Sequence, residues 1–263
     1  MTQSNRVPRS PLNGYTFICS LLYGTAFLLV FCPEFVQTAL QGTVKLSLIS
    51  DGIGKRFKQV QSFLQEPGSF YETHAVPRSM HQLFGEAEKL GPGAIAIGNA
   101  EGTLTRTGKP TWAYYGHLDP ANQVTNKGFA SWQASPVKTV KEADQKAIHR
   151  IKTQCIPYTI QSFEAQGLTL TSRLLVESCD IWIQAPRAAV DFALNLKQCE
   201  SRGEFGEDAI LCARVKNYIN PATGKFEVAS IFRKPGALEA DQQRRSAAIA
   251  RALNHFKVPD VLR

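Results

Sequence analysis

Between Ala94 and Gln133 the chain reads AIAIGNAEGTLTRTGKPTWAYYGHLDPANQVTNKGFASWQ, in which one carboxylate, Glu101, follows an apolar run and no further acid appears until Asp119. A carboxyl at the edge of an apolar helix has its proton affinity raised by desolvation, which suits a general acid. Trp112, Tyr114, Tyr115, His117, Phe129 and Trp132 gather in the same stretch. Aromatic faces of this kind stack against sugar rings, so Tyr114, Tyr115 and His117 are candidate substrate contacts. Asp119 is the obvious second carboxylate, able to activate water or to stabilise an oxocarbenium ion. Asp119-Pro120 is also a common start for a turn, a purely structural role. Thr103 and Gln133 could bond substrate or orient the acid. His117 stands too far from other ligand types in the sequence for a metal site, and no metal or cofactor is expected.

These residues need elements to hold them. Ala94–Ala100 reads as a short helix of small residues that can pack closely, stopped at Gly102. From Leu104 to Gln133, Gly, Pro, Asn, Thr and aromatics dominate, predicting a small β-hairpin region with strands at Thr111–Tyr115 and Gly128–Trp132. Upstream, Ile53, Phe57, Val60, Phe63 and Leu64 recur at helical spacing, and Met80, Leu83, Phe84, Ala87 and Leu90 mark another helix. Downstream the pattern is helical, with helices expected from Ser135-Pro136 to Ile151 and at Tyr158–Gln166, Leu170–Ile183, Pro186–Gln198, Glu207–Ile219 and Leu238–Phe256. The fold class is therefore α+β, mainly helical, with too little strand for a Rossmann or barrel fold.

The chain has 263 residues, a net charge of +8, 43% hydrophobic and 20% charged residues, an ordinary globular composition. Arg6 and Arg9 against Glu34 account for one of these positive charges, leaving about +7 in the remainder, which suits an anionic partner. No nucleic-acid motif, phosphate loop or nucleophilic triad signature is present. Gly14–Phe31 contains no charged residue and follows two arginines, the pattern of an export signal or uncleaved anchor. Residues 1–40 are thus expected to target the chain to a membrane, with the rest exported. Residues 41–78 read as a linker and amphipathic helix, and 79–258 as the main domain. Cys155, Cys179, Cys199 and Cys212 form no CxxC pair, and export would permit one or two disulfides among them. Arg214, inside an apolar stretch, is expected to pair with a carboxylate, and Arg244-Arg245 to form a solvated or ion-paired face.

Ala100-Glu101-Gly102-Thr103 resembles the helix-end Glu-Gly-Thr of the lysozyme-like superfamily, especially phage-type endolysins and lytic transglycosylases. Tyr115-Gly116-His117-Leu118-Asp119-Pro120 looks like that group's glycine-plus-Asp-His-Pro region with the order changed. Gly128-Phe129-Ala130-Ser131-Trp132-Gln133 is similar to its Gly-x-Tyr-Gln element, with Trp for Tyr. The resemblance spans about 40 residues and implies a lysozyme-like catalytic core at 79–258. It implies a peptidoglycan-active glycosidase, with Glu101 protonating the glycosidic oxygen and Asp119 as second carboxylate, or no second carboxylate in a transglycosylase. Competing expectations are a non-catalytic glycan-binding or scaffold protein of the same fold, and a chitosanase-like hydrolase.

Overall fold

Small residues on every side of one helix fix the centre of the molecule. In the computed structural model, Gly93 to Gly98 and Ala100 are all buried, as a helix enclosed by other helices requires. The structure describes residues 77–119, 123–133, 135–220, 223–226, 232, 234 and 236–261, all within the unit Gly68–Arg263. The expected targeting segment and the amphipathic helix near 53–64 lie outside the described residues. Among the described residues no helix is long and apolar enough to cross a membrane.

The element order is α1 (Arg78–Phe84), β1 (Gly85–Glu86), β2 (Lys89–Leu90), α2 (Pro92–Glu101), α3 (Trp112–Tyr115), β3 (His117–Leu118) and β4 (Thr125–Asn126). Then follow α4 (Val140–Arg150), a π-helical turn (Ile151–Cys155), α5 (Ile156–Gln166), α6 (Ser172–Gln184), α7 (Pro186–Ala189), α8 (Phe192–Glu200), α9 (Glu207–Lys216) and α10 (Ala237–His255). The described chain is mainly helical, with two antiparallel two-stranded hairpins, β1–β2 and β3–β4. The central α2 packs chiefly on α10, and also on α1 and α6.

Several boundaries differ from the expected ones, each for a visible reason. The helix expected through Leu90 ends at Phe84, because Gly85 takes φ 69° and starts a tight hairpin. A Cβ there would lie 2.4 Å from Gly91 N and Lys89 O, so only glycine permits the crossing. The strand expected at Thr111–Tyr115 is instead one helical turn beginning at Trp112, and Gly128–Trp132 is a turn closed by a Lys127–Trp132 bridge. The hairpin lies between them, pairing His117 with Asn126 and Leu118 with Thr125. The helix expected from Ser135-Pro136 begins at Val140, where the Thr139 side chain accepts from Glu142 N. Glu142 Oε2 in turn accepts from Lys138 N at 2.9 Å, a local variant of the reciprocal capping box.

Residues 140–166 form a continuous helical run rather than two helices. Pro157 cannot donate to the Thr153 carbonyl, and the chain widens through a turn in which Ile156 N bonds Ile151 O. The run expected over Pro186–Gln198 is split at Val190-Asp191. There Tyr158 Oη takes the Val190 carbonyl at 3.0 Å, which an unbroken helix would have kept for itself.

Two disulfides fasten the helical part. Cys155–Cys179 ties the π-helical turn to α6, and Cys199–Cys212 ties α8 to α9. Loops of these sizes correspond to about 2–4 kcal/mol of stabilisation each. Protein purified without reductant is expected to carry no free thiol at these four positions. Peptide mapping after alkylation, before any reduction, checks this; alkylated Cys155 or Cys199 contradicts it.

Candidate functional site

Glu101 is the last residue of α2, and Gly102 closes the helix in the left-handed region at φ 79°. Its side chain retains 14% exposure. The carboxylate is not in an apolar setting alone, as the sequence suggested, because Arg245 of α10 donates to Oε1 at 2.5 Å. The same guanidinium clasps Asp180, through Nε at 3.1 Å and Nη2 at 2.6 Å. Arg244 caps the end of α2 by donating to Ala100 O at 2.9 Å, a cation placed where a helix terminus is negative.

Behind Glu101 lies a buried charge network that sequence reasoning caught only in part. Glu177 and Asp180, one turn apart on α6, are both 0% exposed. Arg214 of α9, also 0% exposed, bonds Glu177, reaches Asp180 at 2.5 Å and donates from Nε to Gln242 Oε1 at 2.9 Å. Arg173 bonds Glu177 at 2.7 Å and the exposed Glu207 at 2.9 Å. Glu101, Glu177 and Asp180 thus face Arg173, Arg214 and Arg245 in equal number. Burial alone would raise the Asp180 pKa, but Arg245 and Arg214 outweigh it and hold it below the usual value. Burial likewise disfavours the charge on Arg245, but Asp180 and Glu101 overcome this and hold its pKa well above the usual value.

The expected pairing of Arg214 is borne out. Arg244 and Arg245 are ion-paired, to Asp241 and to Asp180 with Glu101 respectively. The signal for the rest was the stretch Leu174–Trp182, where two acids interrupt an apolar helix on its buried side.

The segment after Glu101 folds back on itself through named bonds. Thr111 Oγ1 donates to Gly102 O at 2.8 Å and Thr111 N to Thr103 O at 2.9 Å, so α3 starts beside the end of α2. Thr103, expected to meet substrate, is instead fully buried, its hydroxyl 2.5 Å from Phe129 O and 3.1 Å from Gly98 O. It joins the acid's helix to the 128–131 turn. Asp119 stands at the head of the β3–β4 hairpin, its N–H donating to Val124 O at 2.9 Å and its carbonyl accepting from Gln123 N at 2.8 Å. His117 Nδ1 lies 2.9 Å from Ala113 O, a structural bond. Tyr115 and Trp112 are 64% and 77% exposed, and Gln133 is exposed as well.

Asp144 of α4 was missed. It is 1% exposed and accepts from Phe129 N at 2.8 Å and from Tyr114 Oη at 2.7 Å. Tyr114, expected at a substrate, therefore spends its hydroxyl inside. Gly128, at φ 78°, leaves room for this contact, since a Cβ would come 2.4 Å from Asp144 Oδ1. Asp144 shares its helix face with Ala147 and Ile148, which was the available signal. Burial raises its pKa above the usual value, more than the bonds from Tyr114 and Phe129 lower it.

A raised carboxyl contributes stability below its unfolded pKa and loses it as pH rises through the folded value. Asp144→Asn keeps an acceptor for Phe129 without titrating, so the wild type's stability relative to this variant is expected to decline as pH rises above the ordinary carboxylate range. Asp144→Ala leaves the Phe129 N–H unpaired and is expected to cost about 1–3 kcal/mol. Urea denaturation checks both; a relative stability that rises with pH contradicts the first.

Among the described residues, the one cluster with metal-ligand types is Cys199, Glu204 and Cys212, and its two sulfurs are joined in the disulfide. Comparison with known proteins found no matching family model, no matching curated protein and no matching solved structure.

Proposed function

We propose that this protein is an exported, peptidoglycan-active glycosidase with a lysozyme-like core, in which Glu101 is the general acid. The observation that carries the reading is the setting of Glu101. It is a partly exposed carboxylate at the end of a buried helix, gripped through Oε1 by an arginine whose charge is already largely taken up by Asp180. The grip fixes the carboxyl, while Oε2 is left for a glycosidic oxygen.

Trp112 and Tyr115, exposed on the turn that begins beside Gly102, provide faces for sugar rings. Tyr114 and Thr103 hold that turn and the following loop in place from within. Asp119, on the neighbouring hairpin, supplies the second carboxylate of a hydrolase or orders the loop of a transglycosylase. Gln133 borders the same loop. The reaction calls on no cofactor. Two disulfides suit an oxidising compartment outside the cytoplasm, and the N-terminal segment provides membrane attachment.

Digestion of purified peptidoglycan, followed by mass spectrometry of the products, tests the reading. New reducing ends mark hydrolysis and anhydro-sugar ends mark transglycosylation. Glycan retention without product makes the protein a binding module and overturns the enzymatic reading. A preference for deacetylated glucosamine polymer replaces peptidoglycan with a chitosan-type substrate.

A further inference from the structure

The arginines around Glu101 are all spent on carboxylates, but Arg150 is not. It ends α4 with its guanidinium 4.5 Å above the Trp132 ring. Burial holds its pKa below the usual arginine value, with no charged neighbour contributing. Among the described residues it has no ion pair, and none of its five N–H donors has a hydrogen-bond partner. A half-buried cation in this state is stabilised by the indole face but lacks an anion.

The surroundings are prepared for one. Trp132 is fixed by Nε1 donating to Ser135 O at 3.2 Å. Lys146, one turn before Arg150, reaches Ser135 Oγ and Pro136 O, each at 3.2 Å, and its own acid, Glu142, is 3.2 Å away. With the indole on one side and no partner on its N–H groups, the guanidinium has paired donors to offer to the two oxygens of a carboxylate. Trp132 lies three residues after Phe129, whose carbonyl accepts from the Thr103 hydroxyl, and one residue before Gln133.

We propose that Arg150, stacked on Trp132, docks an oxyanion of the glycan substrate, namely a carboxylate carried on a sugar side group. The proposal rests on the glycan reading above. It makes the protein selective for acidic amino-sugar polymer over its uncharged counterpart, and it gives the chain's positive charge a specific address.

The test is calorimetric titration of the full chain carrying Glu101→Gln, so that no turnover intervenes. The probes are a β-1,4-linked N-acetylglucosaminyl-N-acetylmuramic acid disaccharide, its methyl ester, and glycerol phosphate oligomers. The free acid is expected to bind about 10–100-fold tighter than the ester, the range of a charge-assisted bond. Arg150→Gln should erase that preference while leaving ester binding unchanged. Arg150→Lys keeps the charge but loses the fork and should retain part of the preference, which separates recognition from misfolding. Equal binding of acid and ester, or an acid preference that survives Arg150→Gln, overturns this proposal alone. Tighter binding of the phosphate oligomer than of the acid overturns the carboxylate assignment. Failure of both sugars to bind overturns the glycan reading and this proposal with it.

Discussion

Glu101→Gln is expected, on the proposed function, to lose about 10²–10⁴-fold of the activity on peptidoglycan, the usual contribution of a positioned acid, with the fold retained. Gln keeps an oxygen for Arg245 and the same volume at the end of α2, but it cannot deliver a proton. Arg245 stays paired with Asp180 in the variant, so no buried charge is left unmatched. Asp119→Asn is the companion measurement: a loss nearly as large identifies a two-carboxylate hydrolase, and a mild one a transglycosylase. Thermal melting within a few degrees of wild type must accompany both. A Glu101→Gln protein that cleaves as fast as wild type rules out the assignment, and the acid must then be sought elsewhere.

The largest expected effect on stability belongs to Arg214→Met. The side chain is 0% exposed and bonds Glu177, Asp180 and Gln242. Methionine fills much of the volume but leaves two buried carboxylates short of a cation. Removing one member of such a pair costs about 3–5 kcal/mol, a large share of the roughly 5–15 kcal/mol that holds a domain folded. Asp180→Asn alone should also destabilise, and the double variant should lose less than the two single losses combined, because each removes part of the other's penalty. Urea denaturation of the three variants reads this directly. An Arg214→Met loss below about 1 kcal/mol would contradict a network role.

The parts of the fold written in local signals were legible in the sequence. The apolar run before Glu101 is a helix, Gly102 stops it, and Arg214 has its acids. Where tertiary bonds decide, local reading failed. Trp112–Tyr115 has strand-like composition, yet Thr111 is pulled onto Gly102 and Thr103, and the chain coils for one turn. Gly128 and Ser131, at φ 78° and 46°, bend a stretch that alternation alone would extend. The candidate site was half legible. Glu101 announces itself by its neighbours in sequence, but its partner Arg245 is 144 residues away. Asp144 reaches the site from another helix, with only its place on an apolar face to suggest it.

That long separation also bears on when the protein becomes competent. The two disulfides close loops of 24 and 13 residues, and neither spans the interval from Lys216 to Ala237. The α10 helix is therefore held to the rest by packing and ion pairs, with no cross-link among the described cysteines. During synthesis, Glu101 emerges early and has no orienting arginine until that last described helix is made and docked. On the proposed reading, a wall-cutting activity would be complete only once α10 has docked against the end of α2.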